Sequence, residues 1–456
     1  MVYTKIPPSR TSDQLVPHVG RTLPVRTSGK AEQDPLVRRR SAVVFLALSL
    51  LTACGVLPGD DEQRTVTVWL MKDSASDVFL KRFTKDFERK HTDLRLDIRI
   101  QEWTGIGDKV SKALQAHDGT GPDVIEVGNT QVAQYVDEGG LLDLTLESMR
   151  DWGMDHWLPG LAEPARFLGH QYGIPWYAAN RVVIYRKDLF ARAGINKPPK
   201  TRDQWLADTE KLDSGQQQGI YLPGQDWYTL AGLIWDEGGE LAEESAAGSG
   251  RWTGTLDTPA ALRAMDFYRR LQALGDGPKD ADEDHPPLAG VFAKGNVAQA
   301  VAVPGLAQAI VSENPDLKDD LGYFPVPGRT AGKPGAVFTG GSDLVVPERT
   351  DDRAGAVAVI SALVGAKWDT ELAQAMDYVP NKTTLASVVA DDAGVAAMAA
   401  GAAQGRATPA SPQWGAVEAN NPIKDYMTAV LTGADPATEA KRASRRLTEA
   451  LTDDIG

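Results

Sequence analysis

Arg64-Thr65-Val66-Thr67-Val68-Trp69 alternates as a β-strand does, and the order of the segments behind this run decides the fold. Asp73–Lys90 carries apolar side chains at helical spacing, with Val78, Phe79, Phe83 and Phe87 on one face. Leu94–Ile100 (LRLDIRI) alternates strictly and predicts a second strand. Lys109–Ala116 predicts a short helix, and Pro122-Asp123-Val124-Ile125-Glu126-Val127 a third strand. Val132–Glu138 is helical and stops at Gly139-Gly140, residues suited to a helix C-terminus. A β-α-β-α-β order implies the α/β class, with a largely parallel sheet covered by helices.

The pattern restarts near Tyr172. Val182–Arg186 predicts a strand, Lys187–Ala193 a helix ending at Gly194, and Thr201 opens another helix. Asp257-Thr258-Pro259 starts a helix through Leu274, with proline in the first turn where its missing N–H costs nothing. Gly275–Pro287 reads as a surface loop, and Ala-rich helices follow Leu344–Val346 to the end. There is no internal repeat.

Cys54 is the single cysteine of 456 residues, so no internal disulfide can form. Arg38, Arg39 and Arg40 precede eleven uncharged residues, Ser41–Leu51, and then Leu51-Thr52-Ala53-Cys54. This is the layout of an export signal, too short to span a bilayer of ~30 Å. Leu-Thr-Ala-Cys resembles the lipobox of a bacterial lipoprotein, which implies a diacylglycerol on the Cys54 thiol and an anchor without a spanning helix. Residues 37–54 are accordingly expected to be a signal peptide and 55–63 a linker. Residues 1–36 are expected to be an unstructured extension or to follow from a start placed too early.

Without residues 1–54, which hold eight Lys/Arg and three Asp/Glu, 40 basic and 59 acidic residues remain, a net charge near −19. Such a balance argues against nucleic acid as a partner and favours solubility outside the cell. About 400 residues exceed what one core usually holds, so two domains are expected.

The segments from about Thr65 onward resemble the extracellular solute-binding proteins of carbohydrate ABC importers, the maltose-binding-like group. The resemblance is carried in order by Gly121-Pro122-Asp123-Val124, Gly139-Gly140-Leu141-Leu142-Asp143-Leu144, Tyr172-Gly173-Ile174-Pro175-Trp176-Tyr177, and Tyr185-Arg186-Lys187-Asp188-Leu189-Phe190. It continues through Phe292–Ala298, Thr339-Gly340-Gly341-Ser342-Asp343-Leu344, Asp377–Asn381 and Pro412-Gln413-Trp414. The chain departs from the group at Ala298-Gln299 and Val303-Pro304-Gly305, where relatives often have Ala-Met and Gly-Pro-Trp.

The resemblance implies two α/β lobes with a hinge, a solute in the cleft between them, and a monomer. Crossings are expected near Pro175, Pro304 and Lys367, giving residues 64–174 plus 305–366 in one lobe and 175–304 plus 367–456 in the other. The implied partners are the permease subunits of an importer with a separate ATPase, and the membrane through the lipid anchor. No cofactor, no metal and no catalytic residue are implied.

A sugar needs aromatic platforms for its C–H faces and planar polar groups for its hydroxyl rim. Trp176 and Tyr177 lie just past the first expected crossing, with a buried hinge aromatic as the rival reading. Arg181 offers a fork of donors, or else an interlobe ion pair. Asn129 follows the third strand at its carboxyl end, where α/β ligand sites gather, and is preferred there to Glu126. Trp227, Gly341, Ser342, Asp343, Trp103 and Tyr378 complete the expected sugar-binding set. Trp235 is read as core or rim, and Trp414 as a weaker candidate. A non-sugar solute remains open. So does a lipid-anchored glycoside hydrolase, with Asp236-Glu237 or Asp123/Glu126 as the nominal carboxylates, although adjacent acids on a helix face different ways.

Overall fold

The computed structural model describes residues 63–452 apart from 104, 117–120, 247–248 and 283–284. The export signal and the lipobox cysteine Cys54, both expected within residues 1–62, lie outside the described residues. Among the described residues no helix is long and apolar enough to cross a membrane.

The strands that organise the chain are, in order, β1 (Arg64–Met71), β2 (Leu94–Gln101), β3 (Val124–Gly128) and β4 (Ile174–Asn180), then β5 (Val182–Arg186), β6 (Gln299–Ala302) and β7 (Leu321–Pro325), then β8 (Val337–Val345), β9 (Val379–Pro380) and β10 (Gly405–Arg406). Seven of them form one sheet in the order β9-β4-β8-β3-β1-β2, with β10 beside β8. The other three form a second sheet, β6-β5-β7, antiparallel throughout.

The expectation of a largely parallel sheet is corrected. β1 pairs in parallel with β2 and β3, as consecutive βα units do. β8 enters antiparallel between β3 and β4, and β9 lies antiparallel on the outer side of β4. The large sheet is therefore mixed, because the chain leaves it at Asn180 and returns through β8 from the opposite direction.

Local chemistry explains where the elements start. Ser76 accepts from the Phe79 N–H and begins the helix Asp77–Lys90, which buries Phe79, Leu80, Phe83 and Phe87. The ring of Trp368, from the helix Ala366–Met376, meets Phe79 and Phe83 edge-on at 5.5 and 5.3 Å. Each of these buried rings contributes about 1.5–3 kcal/mol by leaving water. Thr258 caps the helix Pro259–Gln272 from the position its sequence indicates.

Each sheet has its own core. Val66, Val68, Phe83, Trp176 and Trp368 pack around the large sheet. Val183, Trp205, Trp227, Tyr268 and Trp414 pack around the small one. A third group, holding Ala178 of β4, Val182 and Ile184 of β5 and Met398 of the helix Ala393–Ala402, links the two. The chain passes from sheet to sheet at Arg181, and again between Pro325 and Val337.

Candidate functional site

The carboxyl ends of β1 and β3 lie side by side, and the residues there converge on one buried carboxylate. Glu126 of β3 is fully buried. Its Oε2 accepts from the Met71 N–H at 2.7 Å, and its Oε1 accepts from the hydroxyls of Ser74 (2.7 Å), Tyr177 (3.1 Å) and Ser342 (2.6 Å). The three hydroxyls also lie within hydrogen-bond distance of one another, Tyr177 Oη 3.0 Å from Ser74 Oγ and Ser342 Oγ 3.1 Å from Tyr177 Oη. Strand register causes this meeting, since Ser342 of β8 stands opposite Gly128 of β3 on one side and Tyr177 of β4 on the other. Burial raises the Glu126 carboxyl above its ordinary range, with the Ser342, Met71, Ser74 and Tyr177 donors opposing it. Burial likewise pushes the Tyr177 phenol well up, helped by the neighbouring Glu126.

Tyr378 closes this cluster on its open side. Its ring stacks on Tyr177, and its hydroxyl donates to the Asp73 carbonyl at 3.2 Å. Gly341 makes the β4–β8 approach possible, for a Cβ there would stand 2.2 Å from the Tyr177 carbonyl oxygen. With φ at +150°, that position favours glycine on conformational grounds too.

A second cluster forms where the chain leaves β4. Asp226 caps the helix Trp227–Asp236 and accepts from the Thr229 N–H at 3.1 Å. Arg181 Nε lies 3.6 Å from Asp226 Oδ1, and the Arg181 guanidinium sits 4.4 Å over the Tyr228 ring. Tyr228 in turn stands 4.6 Å from the Phe338 ring of β8. Arg181, Tyr228 and Phe338 are half-buried, while Trp227 is buried between Tyr228, Phe338 and Trp414. A planar cation on an aromatic face, beside further rings and a carboxylate, is suited to a neutral polyhydroxyl ligand.

A third contact joins the two. Glu418 accepts from Trp414 Nε1 at 3.0 Å and from Thr130 Oγ1 at 3.4 Å, so the carboxyl end of β3 meets the helix Trp414–Ala419. Burial raises the Glu418 carboxyl.

Of the residues expected from the sequence, Tyr177, Ser342 and Tyr378 fall in the first cluster, and Arg181 and Trp227 in the second. Trp103 stands just beyond the carboxyl end of β2, 42% exposed. Four others support the sheet instead. Asn129 is buried and its Nδ2 donates to the carbonyls of Gly160 and Thr339, both at 2.9 Å. Trp176 is fully buried, because β4 is an interior strand between β9 and β8 with packing on both faces. Asp343 is fully buried, which pushes its carboxyl well above the ordinary range. Gly341 serves the strand approach described above.

Sequence reasoning ranks Glu126 below Asn129 and misses Ser74, Phe338 and Glu418. Of the nominal carboxylates only Glu126 lies in the first cluster: Asp123 accepts from the Thr67 N–H and Thr350 Oγ1, and Asp236 and Glu237 face Arg202. Among the described residues no group of His, Cys, Asp and Glu could hold a metal ion.

Comparison with known proteins identifies the family and the fold. The family described as bacterial extracellular solute-binding protein matches residues 72–370. The diacetylchitobiose-binding protein DasA of Streptomyces coelicolor is 38% identical over 412 residues, 88% of this chain and 95% of that one. Among solved structures, the sugar-binding protein MalE of Xanthomonas citri has a TM-score of 0.75 at 21% identity, covering 85% of this chain and 97% of its own. The cyclic α-maltosyl-1,6-maltose binding protein of Arthrobacter globiformis has a TM-score of 0.72 at 21% identity, over 86% and 99%. The fold is thus the two-lobed architecture of these binding proteins, and the chain belongs to the bacterial extracellular solute-binding proteins.

Proposed function

We propose that this chain is the lipid-anchored, extracellular solute-binding component of an ABC importer. It captures a di- or oligosaccharide between a lobe built on the large sheet and a lobe built on the small one. It then delivers the sugar, without catalysis, to permease subunits served by a separate ATPase. The observation that carries the sugar class is the 38% identity, across nearly the whole of both chains, to a protein named for binding diacetylchitobiose. The half-buried Arg181–Tyr228–Phe338 group supports it, because it offers aromatic faces and a planar donor fork at a crossing between the sheets. The anchor has its support in Leu51-Thr52-Ala53-Cys54.

Closure comes from contacts made to both lobes at once, since a ligand shifts a two-state equilibrium only by its differential affinity for the states. Arg181 and residues 326–336, where the chain changes sheets, are the segments that would absorb the rotation. The test is a thermal-shift series on residues 55–456 with N,N′-diacetylchitobiose, maltose, cellobiose, polyamines and peptides. A ligand at 100 times its Kd stabilises by about 2.7 kcal/mol. A shift with one sugar class confirms the carrier and names its cargo. A shift confined to a polyamine or peptide overturns the sugar.

A further inference from the structure

The short helix Thr145–Arg150 and the hairpin Arg166–Phe167/His170–Gln171 form one surface at the end of the large sheet where β8 runs out, the Leu142 N–H donating to the Val346 carbonyl at 2.9 Å. The Leu144 N–H donates to the Gln171 carbonyl at 2.9 Å, and the Gln171 N–H to Thr145 Oγ1 at 2.8 Å. This surface shows three large apolar side chains to solvent: Leu146 at 75% exposure, Met149 at 67% and Leu168 at 66%. Leu146 and Met149 are three residues apart and share a helix face, opposite the buried Ser148.

Leu168 is the informative one. Phe167 pairs with His170, so Leu168-Gly169 is a two-residue hairpin turn, with φ at +49° and +87°. A turn with both central residues at positive φ wants Asn-Gly, and a leucine there is disfavoured by its Cβ. Its side chain gains little in return from packing, because it is two-thirds exposed. A residue unfavourable to both the turn and the solvated surface is explained by a contact outside the folded chain.

The position of the chain's start says what that contact is. Arg64, which opens β1, pairs with Asp352 at 2.6 Å, and the adjoining Arg353 pairs with Glu147 of the same short helix at 3.1 Å. The apolar surface therefore lies at the pole where the described chain begins, and only nine residues, 55–63, separate Arg64 from Cys54. The ten Cα-to-Cα steps between them reach at most ~35 Å.

We propose that Leu146, Met149 and Leu168 form a docking surface for the lipid bilayer, seating the lobe of the large sheet against the membrane to which Cys54 tethers it. The proposal rests on the lipid anchor of the proposed function. Apolar side chains at a polar rim enter the headgroup boundary without spanning it, and a short tether raises the effective concentration of membrane at a surface too small to bind alone.

The test couples the thiol of Cys54, in a chain beginning at that residue, to a maleimide-headgroup lipid in phosphatidylcholine/phosphatidylglycerol vesicles. Coupling supplies the tether whether or not cells acylate Cys54, so failure here is separate from failure of the sugar or lipoprotein readings. Amide hydrogen exchange in residues 145–150 and 166–171 is compared with that of the same chain coupled to the soluble headgroup alone. Exchange in both segments is expected to slow several-fold on vesicles. Leu168→Asn should raise the Tm by a few degrees, by giving the turn its preferred Asn-Gly, and should reduce the slowing; Leu146→Gln should reduce it without altering the turn. Equal exchange with and without the bilayer overturns the proposal. So does slowing that Leu168→Asn leaves intact, or slowing that appears without lipid as protein concentration rises, which would assign the surface to a second copy.

Discussion

Tyr177 and Tyr378 lie ring on ring, their centroids 4.1 Å apart and their planes 8° from parallel, although 201 positions separate them in the chain. Tyr177 donates into the Glu126 cluster, and Tyr378 reaches the Asp73 carbonyl on the turn after β1. One ring pair thus ties β4, the turn before β9 and the end of β1 together at the edge of the site. Tyr177→Phe keeps the stack and removes a donor from a buried carboxyl, so a loss of about 1–2 kcal/mol is expected in urea unfolding. Tyr378→Ala removes the stack while leaving the Glu126 donors in place, and should loosen residues 72–74 as read by hydrogen exchange. Unchanged exchange there would show that the β1 turn is held without Tyr378.

Stability should fall as the pH rises through neutrality. Burial lifts the Asp369 carboxyl to about 7, against the Asn381 N–H at 3.3 Å and nearby Lys382, whose ammonium burial pushes down. The unfolded chain releases that proton near 3.8, its ordinary value. The folded state therefore holds the proton more tightly, and the stabilisation is complete below about pH 4 and lost as pH passes 7, on the order of 4 kcal/mol at most. Buried Asp343 and Glu126 shift in the same direction. Asp369→Asn should flatten the slope of the urea midpoint against pH between 4 and 8. A slope identical to that of the native chain would remove Asp369 as its source.

The legible parts of the fold are those set by local periodicity. Arg64–Trp69 and Leu94–Ile100 fall short of β1 and β2 by no more than two residues, and Val182–Arg186 coincides with β5. The direction of β8 is not legible, since nothing near Val337 states that it will lie between strands formed by residues 124–128 and 174–180. The same non-locality hides Glu126. An acid near a strand end reads as solvent-exposed, and only the hydroxyls of Ser74, Tyr177 and Ser342, the last 216 residues away, turn it into the centre of a buried cluster. Trp176 misleads for the opposite reason: its residue type suits a sugar platform, but β9 on the far side of β4 makes its strand an interior one.

Gly340 and Gly341 are neighbours with opposite tolerances. A Cβ on Gly341 would meet the Tyr177 carbonyl oxygen at 2.2 Å and the Ala178 Cα at 3.0 Å, both backbone, in a conformation L-residues rarely adopt. A Cβ on Gly340 would meet first the Phe338 ring at 3.2 Å, a side chain that can give way. Gly341→Ala is expected to cost about 2–4 kcal/mol, as the β4–β8 pairing must shift, and Gly340→Ala about 1 kcal/mol or less. Equal Tm values for the two variants would mean that β8 slides without cost, and that the close approach at Gly341 does not hold the Tyr177–Ser342 register.

Trp227 and Tyr228 adjoin in sequence, and their substitution separates core from site. Trp227 is buried against Phe338 and Trp414, at 6.1 and 6.2 Å between centroids, so Trp227→Ala should cost about 3–5 kcal/mol of stability. Tyr228 is half-buried beneath the Arg181 guanidinium, and its truncation leaves that core in place. Tyr228→Ala should therefore shift the Tm little while weakening, roughly tenfold or more (about 1.4 kcal/mol), the binding of whichever sugar stabilises the native chain. Arg181→Lys should weaken it as well, because an ammonium keeps the charge but loses the planar fork and the stack. Calorimetric titration of the variants beside their thermal unfolding makes the comparison. If Tyr228→Ala binds the sugar as the native chain does, the aromatic group at the sheet crossing is packing alone, and the ligand must be held at the carboxyl ends of β1 and β3.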